Sequence, residues 1–215
     1  GMMNPLKEIM EVLKEFPDVI SVIDTVSSFS VVSIPKDEWG IDVILTGSQK
    51  ALAMPPGLAL YSVSERAFQR AEQVEGRGYY FDFLEFRSNH AKGMTPSTPV
   101  IPLIHALNYT LKKIIQEGVA NRHNRHTELN QIVHKWVASK GFELLPKQEF
   151  ASKSLTCVRN NLEIDVAGFV KSLREEKKIS IDGGYGKIKG KTFRISNLGD
   201  ETGDSINHSL ANLDE

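Results

Sequence analysis

Three short apolar runs, "VISVID" (19–24), "IDVILTG" (41–47) and "GLALYSV" (57–63), set the tightest limit on the fold. Each is too short for an ordinary helix and too continuously apolar for a strand with one wet face. Each therefore reads as a strand covered on both faces, as in a parallel sheet. The segments beside them have helical character. "NPLKEIMEVLKEFPD" (4–18) puts Leu6, Ile9, Met10 and Leu13 on one stripe, with Asn4 as N-cap, Pro5 at the first helical position and Pro17-Asp18 as the stop. Ser64 stands where it would cap "ERAFQRAEQ". Buried strands alternating with helices specify α/β architecture.

The second half of the chain changes style. Residues 99–140 keep helical periodicity for most of their length, with Gly118 and Gly141 as the natural interruptions. A smaller α+β unit then follows: "LTCVRN", "ISIDGG" and "KTFRISN" read as strands, and "DVAGFVKSLREEK" as a helix capped by Asp165. This organisation predicts a larger unit over 1–118, including the start of the connecting helix, and a small C-terminal α+β unit over 119–215. The polar end, "DETGDSINHSLANLDE", fits a short helix or a frayed tail.

Composition excludes several classes of function. The formal net charge is −1, and no basic cluster offers a footprint for nucleic acid or an anionic membrane. No apolar run approaches a bilayer span and no signal peptide opens the chain. Cys157 is the only cysteine, so no internal disulfide can form, and a cytoplasmic location is expected.

Within "TGSQKALAMPPG" (46–57) one lysine, Lys50, interrupts a nearly uncharged run, and Asp24 ends the strand before it. Ligands of α/β sheets collect at the carboxyl ends of strands. A lysine sheltered there is a candidate for Schiff-base chemistry, and an aspartate at a strand end suits the acidic partner of a pyridinium nitrogen. The same residue types also fit a solvated loop lysine and an aspartate that merely caps a turn, and residue types alone leave both readings open.

The run "VIDTVSSFSVVSIPKDEWGIDVILTGSQKALAMPPGLALYSVSERAF" resembles the central signature of class V, fold type I pyridoxal-phosphate aminotransferases of the serine–pyruvate/alanine–glyoxylate group. The likeness continues through "TPSTPVIPLIHAL", "EGVANRHNRH" and "KGKTFRISNLGD". It implies an α/β fold: the C-terminal portion of such a transferase, with part of its large-domain sheet and the small α+β domain. By resemblance, Lys50 is the lysine that forms the Schiff base and shuttles the proton. Asp24 pairs with the pyridine nitrogen, Val26 lies against the ring face, Gln49 binds the phosphate, and Ser28 lines the same site. Thr98 matches a threonine that reaches the phosphate of a neighbouring subunit, which implies a homodimer. Arg194 matches the arginine that takes the substrate α-carboxylate, a task suited to a planar bidentate fork. Gln49 departs from the cysteine desulfurases, which carry histidine there, and Thr95 stands where some members present a tyrosine.

The resemblance further implies pyridoxal 5'-phosphate as cofactor and a small amino acid with a 2-oxo acid, pyruvate or glyoxylate, as substrates. It also implies that these residues make up about three-fifths of such an enzyme, judged from ordinary domain sizes. The phosphate-cradling loop and the ring-stacking aromatic would then lie elsewhere, a separate N-terminal polypeptide being one source. The alternative is a non-catalytic fragment that serves only for dimerisation or interaction.

The remaining features have plainer readings. "GGYGK" (183–187) lacks the strand–loop–helix setting of a phosphate loop and reads as a tight turn. His123, His126 and His134 fall on one helix without enough further ligands for a metal. Cys157 is expected in the core, Trp39 and Trp136 in packing roles, and the aromatic stretch 76–86 in the core or a dimer interface.

Overall fold

The computed structural model describes residues 1–214. A three-stranded sheet and a four-stranded sheet are linked by two long helices. The first sheet runs β1 (Val22–Asp24), β2 (Val43–Gly47), β3 (Ala59–Val63) in that order. β1 is parallel to β2, with Asp24 opposite Leu45, while β3 returns antiparallel, with Ala59 opposite Gly47.

Asp42, at the entrance to β2, ties this region together. Its carboxylate accepts from the Ser21 N–H (3.0 Å) and hydroxyl (3.1 Å), the Ser64 hydroxyl (2.8 Å) and Arg66 Nε (2.9 Å). Burial alone would raise the Asp42 pKa, but the Arg66 guanidinium and the Ser21 and Ser64 donors outweigh it and hold the group at about 2. Arg66 also donates to the carbonyls of Pro17 (2.7 Å) and Val19 (3.1 Å), fixing the approach to β1. Ser64 caps α3 (Glu65–Glu72) by accepting the Ala67 N–H at 3.1 Å, as its position predicts.

Three expectations for this region are corrected. α1 (Leu6–Leu13) has Pro5 at its N-cap, and the Asn4 side chain makes no cap; the Asn4 carbonyl accepts the Leu6 N–H instead. Of its apolar stripe only Met10 is buried. β1 and β3 are not covered on both faces: both stand at sheet edges, β1 shorter than its apolar run with Val22 58% exposed, and β3 antiparallel with Tyr61 exposed. In "GRGYYFDFLEF", Tyr79, Tyr80 and Phe81 face solvent, Tyr80 and Phe81 meeting edge-on, while Phe83 and Phe86 pack against Tyr61. These two lie on α4 (Phe83–His90), following the short α2 (Lys36–Trp39) and α3.

α5 (Ile101–Glu117) lays Leu103, Ala106, Leu107 and Ile114 against Leu52 and Met54. Gly118, at φ +85, breaks the helix at the position expected, and α6 (Val119–Ser139) begins at once. The second sheet has order β4 (Glu143–Leu144), β5 (Leu155–Arg159), β7 (Thr192–Ser196), β6 (Asp182–Gly183), all antiparallel. α6, α7 (Val166–Glu175) and α8 (Gly203–Leu213) contribute to its core around the fully buried Phe193. Phe142 and Phe169 meet that ring edge-on at 5.2 and 5.6 Å. Asp165 caps α7 through the N–H groups of Ala167 and Gly168, both at 3.1 Å. The polar tail is the helix α8, started by a Thr202–Ser205 capping box, and Cys157 is buried as expected.

Residues 1–3 lie along the second sheet's approach: the Met3 N–H donates to the Phe150 carbonyl (2.8 Å) and Met2 bridges Ala151. Among the described residues, no helix is long and apolar enough to cross a membrane.

Candidate active site

Asp24 ends β1, and the chain turns immediately. Buried Thr25 fixes that turn by giving both its N–H (2.9 Å) and its hydroxyl (2.7 Å) to the Leu45 carbonyl of β2. The Val26 N–H donates to Asp24 Oδ1 at 2.8 Å. Among the described residues the other carboxylate oxygen makes no hydrogen bond. Asp24, Val26 and Ser28 line an open groove of about 980 Å³ together with Met3, Leu6 and Phe150.

Gln49 and Lys50 follow β2 and leave the sheet at the same end as Asp24, because β1 and β2 are parallel. Ser48, fully buried, cinches the loop: its hydroxyl donates to the Pro55 carbonyl (2.7 Å) and accepts the Leu58 N–H (3.3 Å). The Ser48 N–H also donates to the Leu58 carbonyl at 3.1 Å. Ala51 and Leu52 then drop into the core, and the tight turn closes where the Ala53 N–H meets the Lys50 carbonyl (2.9 Å). Part of the lysine's uncharged setting follows from this, since Ser48, Ala51, Leu52 and Met54 are buried. It also corrects the expectation of a sheltered lysine: Lys50 and Gln49 are exposed and do not line the groove that holds Asp24.

The other two candidates stand apart. Thr98 is exposed on the segment before α5 and does not line the groove. Arg194 sits in the middle of β7, opposite Cys157 on one side and Asp182 on the other. Its guanidinium is paired with the Asp182 carboxylate and lies 4.8 Å from the Tyr185 ring centre. Its Nε is buried and has no hydrogen-bond partner.

Sequence reasoning passed over Arg122, in the run "EGVANRHNRH". This side chain is 2% exposed. Its Nε donates to Ser30 Oγ (2.8 Å), its Nη1 to Glu117 Oε2 (2.8 Å), and its Nη2 to the carbonyls of Ala51 and, at 3.4 Å, Gly199. Burial raises the Glu117 pKa, but Arg125 and Arg122 together pull it below the usual carboxylate range. No local spacing signals this sharing, because Glu117 ends α5 while Arg122 and Arg125 reach back to it from α6 across the Gly118 break. His126 is also buried, with Nδ1 2.8 Å from the Arg122 carbonyl. No group of three or more His, Cys, Asp or Glu among the described residues is arranged to hold a metal.

Comparison with known proteins adds to this geometry. The sequence model of the family "Aminotransferase class-V" matches residues 1–191. An uncharacterized aminotransferase of Methanocaldococcus jannaschii is 36% identical over 201 residues, covering 93% of this chain and 52% of that protein. The serine–glyoxylate aminotransferase of Methylorubrum extorquens is 32% identical over 184 residues, 83% of this chain and 46% of its own length. Among solved structures, the alanine–glyoxylate aminotransferase of Nostoc sp. superposes with a TM-score of 0.93 at 28% identity, over 99% of this chain and 57% of that one. The chain thus spans about half the length of the curated relatives it matches.

Proposed function

Because this chain belongs to the class V aminotransferase family, we propose that it carries part of an active site that moves an amino group between a small amino acid and a 2-oxo acid. That family and its structural neighbours depend on pyridoxal phosphate. Serine–glyoxylate and alanine–glyoxylate relatives support small substrates of the pyruvate or glyoxylate kind. The observation that carries the reading is the parallel register of β1 and β2. It brings Asp24 and the Gln49-Lys50 turn to the same carboxyl end of adjacent strands.

The donor set fits the cofactor. Asp24 has a carboxylate oxygen clear of protein hydrogen bonds, Lys50 offers an amine one strand away, and Gln49 and Ser28 offer neutral donors for a phosphate. When bound, the cofactor supplies an electron sink for charge developing at the substrate Cα. Lys50 would hold it covalently through Nζ and, once released, move a proton at that atom. Asp24 would keep the proton on the ring nitrogen, and Val26 would lie against the ring face. Gln49 and Ser28 would anchor the phosphate, with Thr98 reaching the site of a partner subunit in a homodimer. Arg194 would take the substrate α-carboxylate, which must compete with Asp182 for its guanidinium. In this reading Gly118 separates the cofactor-bearing part from the small α+β part, and the protein works in the cytoplasm.

The test is incubation with pyridoxal phosphate, borohydride reduction and mass-spectrometric mapping, with the chain alone and with a polypeptide supplying the rest of its relatives' length. An adduct at Lys50 that disappears in Lys50→Ala is expected. Absence of that adduct under both conditions would favour a non-catalytic dimerisation or interaction module.

A further inference from the structure

A buried guanidinium must satisfy several N–H donors arranged in one plane, so its acceptors report what it is built to hold. Arg122 is the largest fully buried side chain among the described residues, and its acceptors come from four separate pieces of chain. Ser30 lies in the loop that follows Asp24. Ala51 follows Lys50 directly. Gly199 lies just beyond β7, the strand of Arg194. Glu117 closes α5.

Two of these loops each carry a non-glycine residue at positive φ. Ser30 has φ +62, and Ala53, in the Lys50 turn, has φ +53, both in the left-handed region that non-glycine residues enter only at a cost. Gly199, at φ +81, packs so closely that a Cβ there would stand 3.2 Å from the Ala53 Cβ. Charge balance does not require Arg122, because Arg125 Nε already donates to Glu117 Oε1 at 2.7 Å. Every acceptor of Arg122 other than Glu117 lies on or beside a loop adjoining a candidate site residue.

We propose that Arg122 is a positioning residue for Lys50. It clamps the Lys50 turn to the Asp24 loop and to the Gly199 connection, and so sets the amine relative to both the ring-nitrogen partner and the carboxylate arm. This role for Arg122 rests on the Schiff-base reading of Lys50. The clamp itself is a statement about this chain's loops and can be measured without the cofactor.

The test compares wild type, Arg122→Met and Arg122→Lys by hydrogen-exchange mass spectrometry and by pyridoxal-phosphate labelling with borohydride. Arg122→Met is expected to raise exchange at least tenfold in segments 28–32 and 48–54 while the β5 and β7 peptides stay as in wild type. Labelling at Lys50 is expected to fall at least fivefold while any labelling at Lys36 and Lys153 is unchanged. Arg122→Lys should fall between, since an ammonium reaches some of these acceptors but not all. Wild-type exchange in both loops, or loss of protection spread through β5 and β7, would overturn the proposal. If wild-type Lys50 takes no label, the Schiff-base reading fails, and the exchange contrast still decides whether the clamp exists.

Discussion

The region around Phe193 and the region around Asp24 are each built of a small sheet with helices, yet they are finished to different degrees. Phe193 sits on an inner strand, ringed by Phe142 and Phe169 and closed by residues of α6 and α8. Around Asp24 the sheet ends at β1, the α1 stripe is half bare, and the buried cluster beneath the Lys50 turn is only Leu52, Met54 and Ile114. Apolar burial scales with area removed from water, so the first arrangement holds itself together and the second leans on specific polar ties. Those ties are Asp42 with Arg66, and Arg122 with its four partners. The candidate chemistry lies mostly in the second region, with Arg194 in the first.

The widest gap should appear in paired core truncations. Phe193→Ala is expected to cost about 3–5 kcal/mol, the usual range for a large aromatic removed from a packed core. Val22→Ala, on the exposed edge of β1, should stay within about 0.5 kcal/mol. Urea denaturation midpoints measure both. Comparable losses at the two positions would break the comparison.

Acid titration separates the regions by their chemistry. Asp42 is held at about 2 against an ordinary 3.8, so its contribution is complete above pH 4 and is lost as pH falls through the folded value. The loss between pH 4 and pH 2 should be about 2 kcal/mol. Asp42→Asn should be less stable at pH 7 and should flatten that part of the profile. An unchanged acid limb would show that the Arg66 tie contributes little.

The Phe193 region, which α6 closes, should respond earlier and more weakly. Burial lowers the pKa of His126, His123 and His134 from the ordinary 6.5. The unfolded chain then binds protons that the folded one refuses, so stability is full above pH 6.5 and drains as pH falls below it. Denaturation midpoints at pH 7.5 and 5.5 should differ in that direction, and His126→Gln should narrow the difference. A midpoint that rises on acidification would contradict the burial of these imidazoles.

What was legible in the sequence follows the same divide. Ser64, Asp165 and Gly118 were read correctly because caps and helix breaks depend on neighbours within a few residues. The exposure of Val22 and Lys50 was not, because an apolar run does not state how much of a sheet surrounds it. Arg122 was invisible for a stronger reason. Its acceptors at Ser30, Ala51 and Gly199 are 92, 71 and 77 positions away, so its local sequence looks like any polar helix start. Lys50, Asp24 and Arg194 were singled out through the motif in which they sit, and their local surroundings, a tight exposed turn, an open groove and an Asp182 partner, had to come from the fold.

The smallest expected effect is at Arg194, the one candidate site residue in the well-packed region. Asp182 is largely exposed and sits directly across the strand pair, so its bond to the guanidinium is an exposed ion pair worth about 0.2–1 kcal/mol. A substrate carboxylate entering the same fork has to displace it. Asp182→Asn should therefore leave the denaturation midpoint almost unchanged while tightening pyruvate binding by about 1.4- to fivefold, the ratio that this ion-pair energy converts to. Arg194→Gln should abolish the binding in either background. The dissociation constants can be read from an NMR titration with pyruvate. If Asp182→Asn leaves the constant where it was, the carboxylate does not meet Arg194, and the link between the two regions would rest on the Arg122 clamp alone.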